Sequence, residues 1–127
     1  MITRNLLKHN IKYIAILVTI SIAILSLAKI GKQTVINISH LDKIEHAIAY
    51  LVLTVLWLLS FKKKQYQLLV IVCAIIYGVL MEFLQANLTT YRYFDYLDML
   101  ANTFGVLLGF LIFKMIQKKQ YKLLNSK

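Results

Sequence analysis

Four uncharged apolar runs divide the chain, at positions 13–28, 47–61, 65–81 and 99–113. Each is shorter than the roughly 20 residues that a helix needs to cross a bilayer. To span, each helix must therefore carry polar residues into the membrane at one of its ends. For the first helix Lys12 and Lys29 can snorkel to the interface. For the others the added turn holds ionisable and amide groups. The predicted fold is all-α: a single transmembrane domain over 1–127, a bundle of four helices spanning about 11–30, 42–61, 65–86 and 94–114.

Those polar additions are periodic. Ser39 followed by Asp42 has the form of a capping pair, which starts the second helix near Ser39. Along it Asp42, Glu45, His46, Ala49 and Tyr50 fall at i, i+3, i+4, i+7 and i+8, one face. On the third helix Gly78, Glu82 and Gln85 share a face. On the fourth, Asp95, Asp98, Asn102, Gly105 and Gly109 form one stripe. Counted back from the apolar end of its span, Asp98 lies about 6 Å and Asn102 about 12 Å deep, at 1.5 Å rise per residue. Gly105 and Gly109 are spaced as GxxxG, which lets a second helix approach closely. Trp57 reads as an interface anchor, His40 as a solvated headgroup-level residue, and Asp95 as an N-cap of the last helix.

Composition fits a membrane protein: 60% hydrophobic, 16% charged and no proline, where globular chains carry roughly 25% charged residues. The net charge of +10 does not indicate nucleic acid, because the basic residues lie between apolar runs and are not interleaved with stacking aromatics. They indicate topology instead. With the N-terminus inside, eleven basic residues (Arg4, Lys8, Lys12, Lys62, Lys63, Lys64, Lys114, Lys118, Lys119, Lys122, Lys127) face the cytoplasm, and four (Lys29, Lys32, Lys43, Arg92) face out. The positive-inside rule then puts both termini in the cytoplasm. The basic N-terminus is read as part of a retained first span, because "SLAK" at 26–29 is a weak cleavage site. The basic tail after Lys114 is expected to continue the last helix into anionic headgroups. Cys73 is read as a small buried hydrophobe. No cysteine or histidine spacing fits zinc, one imidazole near oxygen ligands falls short of a multi-ligand set, and no metal or other cofactor is expected.

All five acids (Asp42, Glu45, Glu82, Asp95, Asp98) fall at the outer end. Ionisable groups facing lipid are costly, about 2.5–3.5 kcal/mol at the bilayer centre, so three polar faces at one depth should turn inward and meet. A purely structural network would tie Arg92 to Asp95 or Asp98, Glu82 to Lys43, and Asn102 across helices. A functional cluster would form an outward-facing polar pocket. The second reading is favoured, since intramembrane ionisable residues are functional candidates by default.

The segments "DKIEHAIAY", "GVLMEFLQ" and "RYFDYLDMLANTFGVLLG" resemble, in order, the signature blocks of the VanZ-like family of small bacterial membrane proteins. The matching positions are Asp42, Lys43, His46 and Tyr50; Gly78, Glu82 and Gln85; and Arg92, Asp98, Asn102, Gly105 and Gly109. Thr90 and Tyr91 depart from the small or turn-forming residue common before the arginine. The resemblance implies a multi-pass protein of the bacterial cytoplasmic membrane, in a family whose name-giving member is associated with resistance to the glycopeptide teicoplanin.

Asp42, Lys43, His46, Tyr50, Glu82, Gln85, Arg92, Asp98 and Asn102 are therefore the candidate ligand-binding residues, and Gly78, Gly105 and Gly109 the packing residues. Two functions remain open. One is an accessory protein that binds cell-envelope components in the membrane, such as a lipid-linked cell-wall precursor or a lipid-tailed glycopeptide, with Lys43 and Arg92 holding an anion. The other is a membrane hydrolase or transferase acting on a lipid-linked substrate, with His46, Glu82 or Asp98 as candidate catalytic groups. No serine or cysteine nucleophile stands beside a base in the polar blocks. Membrane lipids are expected partners; oligomeric state is left open.

Topology can be checked with single cysteines (Asn37→Cys, Gln65→Cys, Asn87→Cys) in a Cys73→Ala background. An impermeant thiol reagent on intact cells is expected to label positions 37 and 87 and to spare 65. Labelling of 65 alone reverses the orientation.

Overall fold

The computed structural model describes residues 2–28, 39–61, 63–89 and 94–125. They form four helices: α1 (Ile2–Leu27), α2 (Ser39–Ser60), α3 (Gln67–Leu88) and α4 (Tyr96–Asn125). A single turn of 3₁₀ helix, Lys64–Tyr66, leads into α3. Each helix is long and apolar enough to cross a membrane. The chain is an all-helical, four-span membrane protein, as its apolar runs require. The tail is helical as expected, with α4 continuing to Asn125.

α2 sits at the centre. It makes its most extensive contact with α4, while α3 packs on both and α1 leans chiefly on α2. Glycine sets the α2–α4 distance. A Cβ on Gly105 would collide with the backbone carbonyl of Ala47, and one on Gly109 would come within 2.7 Å of the Leu51 carbonyl oxygen. Gly78 on α3 leaves room for Asn102 and the Tyr50 ring, each 3.1 Å from where its Cβ would stand. All three expected packing glycines lie at helix contacts.

The bundle buries polar side chains and turns many large apolar ones outward. Thr54, Gln67, Glu82, Gln85, Asp98 and Asn102 are buried, while Leu17, Ile48, Ile76, Phe83, Phe104 and Leu111 are exposed. Water would drive the opposite arrangement; lipid favours this one, because apolar side chains cost nothing there and polar groups do. Hydroxyls are satisfied locally: Thr19, Thr54, Ser60 and Thr103 each donate to the carbonyl four residues back. An apolar core of Ile22, Tyr50, Leu53, Ala74 and Val106 continues into a second cluster, Leu58, Val70 and Phe113.

One expectation changes. Cys73 is exposed, not buried; on α3 it borders an apolar groove between α2 and α3, so it is a lipid-side hydrophobe. Trp57, the expected interface anchor, also ties two helices together. Its indole donates to Thr19 Oγ1 on α1 at 3.0 Å and its ring stacks on Phe61. Tyr77 on α3 donates to the Thr19 carbonyl at 2.7 Å, so α1 is held by hydrogen bonds from two helices.

Gly105→Ala is expected to destabilise by about 1–3 kcal/mol, since the obstacle is backbone and cannot rotate away. Gly78→Ala, which meets side chains, is expected to cost less. Thermal unfolding of the detergent-solubilised variants, followed by loss of monodispersity, measures the order.

Candidate functional site

The polar residues of α2, α3 and α4 meet at the end of the bundle where α2 and α4 begin and α3 finishes. Each comes from a helical face that the 3.6-residue repeat assembles, and the glycine contacts bring those faces together.

Lys43 on α2 reaches α4. Its Nζ donates to Asp95 Oδ2 and Asp98 Oδ1, each at 2.9 Å. Asp95 also caps α4, accepting from the Leu97 amide at 2.8 Å. Just ahead of the α4 span, its carboxyl is held below the usual carboxylate range by the Lys43 hydrogen bond. Expected N-cap and ion-pair roles thus coincide in Asp95. The lysine's partner is not Glu82, as a structural network would have it, but two aspartates.

One turn below Lys43, His46 lies between three carboxylates and an amide. Its Nδ1 is 3.0 Å from Asn102 Oδ1 and 3.6 Å from Glu82 Oε1. Its Nε2 is 3.9 Å from Asp42 Oδ1 and from Asp98 Oδ2. Asn102 donates through Nδ2 to Glu82 Oε1 at 3.2 Å, so it bridges α2 and α3 from α4. The Glu82 and Asp98 side chains are 3% and 7% exposed, whereas Asp42, at 38%, lies at the mouth.

A family model described as VanZ/LLP1 matches residues 3–117. The chain belongs to the VanZ/LLP1 family. No curated protein and no solved structure matches it.

The VanZ/LLP1 resemblance blocks contribute unequally to this cluster. Asp42, Lys43, His46, Glu82, Asp98 and Asn102 converge. Gln85 does not join their hydrogen bonds; its Nε2 donates to the Ser26 carbonyl of α1 at 2.9 Å, tying α3 to α1. Tyr50 is 1% exposed and its hydroxyl has no hydrogen-bond partner among the described residues. Arg92 lies outside the described residues, as does the side chain of His40. Beside the cluster is a cavity of about 180 Å³, bordered by Asp42, His46 and Tyr50 of α2, Ile22, Leu25 and Ser26 of α1, and Gln85 of α3. The α1 wall had no signal in the sequence: Ile22 and Leu25 read only as lipid-facing residues, and Ser26 takes part through its backbone.

Lys43 engages Asp95 and Asp98, while Asp42, Glu82 and Asp98 border His46, so the cluster combines hydrogen-bond acceptors with a titratable imidazole.

Proposed function

We propose that this VanZ/LLP1 protein resides in the bacterial cytoplasmic membrane with both termini cytoplasmic, and that its outward-facing polar end binds the headgroup of a cell-envelope component. The observation that carries the reading is the cavity among Asp42, His46, Tyr50 and Gln85. Its carboxylates, Asp42 and Glu45, match the hydroxyls, amides and ammonium groups of a saccharide–peptide headgroup. Between α2 and α3 lies an apolar groove of about 530 Å³ lined by Leu53, Trp57, Leu69, Val70, Cys73 and Ala74. It suits an acyl or prenyl chain. A ligand with both parts is a lipid-linked cell-wall precursor or a lipid-tailed glycopeptide such as teicoplanin, the second of which would connect the protein to glycopeptide resistance. Surrounding membrane lipids are its other partners.

The anion-holding role expected of Lys43 loses support, since its ammonium is engaged by two aspartates. That role now rests on Arg92. A membrane hydrolase or transferase is the second reading. It is favoured by His46 standing 11% exposed among Asp42, Glu82 and Asp98, an arrangement able to hold or move a proton.

Native mass spectrometry of the full chain, with a polyprenyl-linked muropeptide or teicoplanin added, tests the proposal. Asp42→Ala and Glu45→Ala are each expected to weaken headgroup binding by about 2–10-fold, the worth of one hydrogen bond, and to lower teicoplanin tolerance of a complemented deletion strain at normal protein abundance. Equal binding of these ligands and of bulk phospholipid, unaffected by either change, contradicts it. Intact binding by Glu82→Gln with loss of turnover would favour the enzyme.

A further inference from the structure

We infer that the groove between α2 and α3 binds an anionic phospholipid from the leaflet that meets the α2–α3 turn. The groove, about 530 Å³, is lined by Trp57 and Phe61 of α2 and by Tyr66, Leu69, Val70 and Cys73 along α3. That volume lies in the range of pockets that enclose small ligands. Phe61, Leu69 and Cys73 are exposed, so a chain can enter from the lipid side. Leu53 and Tyr77 are the lining residues farthest from the turn, and there Tyr77 is bonded to the Thr19 carbonyl of α1. From Tyr66 to Tyr77 the groove follows α3 for about 16 Å, at 1.5 Å per residue. One leaflet supplies about 15 Å, half of a hydrocarbon core about 30 Å thick. The groove thus has the depth of one leaflet and accepts the acyl chain of a lipid whose headgroup stands at the turn.

The turn supplies the charge that such a headgroup needs. Lys63 and Lys64 lie in sequence between Phe61 and Tyr66, which line the groove where it meets the turn. Both lysines are exposed. The Tyr66 amide donates to the Lys63 carbonyl at 3.1 Å, which closes the turn and holds the lysine backbone beside the groove's mouth. Trp57 stacks on Phe61, and Phe61 meets Tyr66, each pair with centroids 5.7 Å apart, so the mouth is a fixed aromatic rim. α3 starts here with no capping side chain and no acid in its first turn, and its dipole adds positive potential. No acidic side chain opposes these charges. All five (Asp42, Glu45, Glu82, Asp95, Asp98) lie at or beside the opposite ends of α2, α3 and α4. On the α4 side, Lys114 is engaged by Gln67 Oε1 at 2.7 Å and by the Phe110 ring. Basic residues attract anionic lipid along any membrane surface; here the groove ties two of them to one chain position. A phosphodiester at the mouth and a chain in the groove are the two halves of one anionic phospholipid. A zwitterionic lipid offers the same chain but carries its own ammonium to the lysines.

This site shares no lining residue with the polar cavity, so headgroup binding there can fail or succeed independently. The tail of an envelope ligand is the competing occupant of the groove. Trp57 is the chain's one tryptophan and lines the groove, so its fluorescence reports the occupant without a label. The full chain is reconstituted in phosphatidylcholine vesicles holding a fixed fraction of phosphatidylglycerol, with bromine on the acyl chains of one lipid or the other. Both leaflets are alike, so the result does not depend on orientation. Brominated phosphatidylglycerol is expected to quench Trp57 as if enriched about fivefold over brominated phosphatidylcholine, the worth of one lysine at an anionic surface. Lys63→Gln with Lys64→Gln is expected to remove that preference. Lys118→Gln with Lys119→Gln, an equal loss of charge on the α4 tail, is expected to keep it. All four lysines are exposed, so folding should be retained, and monodispersity on gel filtration checks it. Cys73→Phe, which fills the groove, is expected to abolish the preference with the lysines intact. Equal quenching by the two lipids overturns the proposal, as does a preference that survives Cys73→Phe. A preference that both lysine pairs reduce alike overturns it too, because diffuse charge then accounts for it. Stronger quenching by a brominated polyprenyl phosphate than by phosphatidylglycerol at equal fraction gives the groove to the envelope lipid instead.

Discussion

At Gly105 the backbone of α2 occupies the space where any other residue would place its Cβ, and the obstructing atom is the Ala47 carbonyl oxygen. The polar cluster depends on that approach. His46 adjoins Ala47 in sequence, and Asn102 lies three residues before Gly105. With the two backbones this close, a histidine and a short amide reach each other at 3.0 Å. Lys43, one turn further along, can hold two aspartates of the facing helix. A wider helix pair would leave the same groups apart in a medium that offers them no water, where each unsatisfied group costs several kcal/mol. Small residues at the contact and polar residues above it are therefore parts of one device.

Electrostatics then separates structure from chemistry within the cluster. Lys43 with Asp95 and Asp98 is a clamp between helix starts, partly wetted and worth little as an isolated ion pair. It also orients Asp98. The second layer, His46 with Glu82 and Asn102, is drier, and its hydrogen bonds link all three helices. His46 and Asp42 also border a cavity, so this layer is placed both to hold the bundle and to meet a ligand.

Much of this was legible in the sequence because lipid makes the rules strict. Uncharged runs gave the four helices, and the 3.6-residue repeat placed Asp42, His46, Glu82, Asp98 and Asn102 on faces that had to turn inward. GxxxG marked the face of α4 that meets α2. Partner choice was not legible. Nothing in one sequence says that Lys43 prefers Asp98 to Glu82, because that depends on the rotation of α2 against α4 and α3. Gln85 shares a face with Glu82 yet bonds to α1, whose part in the cavity is played by a backbone carbonyl and ordinary aliphatic residues. Cys73 was misread for a related reason: in a bundle surrounded by lipid, apolar character does not tell a lipid-facing position from a buried one.

The central claim is that the polar faces of α2 and α4 face each other across the glycine contact. Cysteine pairs in a Cys73→Ala background test this in native membranes. His46→Cys with Asn102→Cys should be joined within the chain by a short bifunctional thiol reagent. Ile48→Cys with Asn102→Cys, at similar depth but starting from an exposed position on α2, should not. Joining of the second pair as readily as the first, or of neither in a folded protein, would contradict the account.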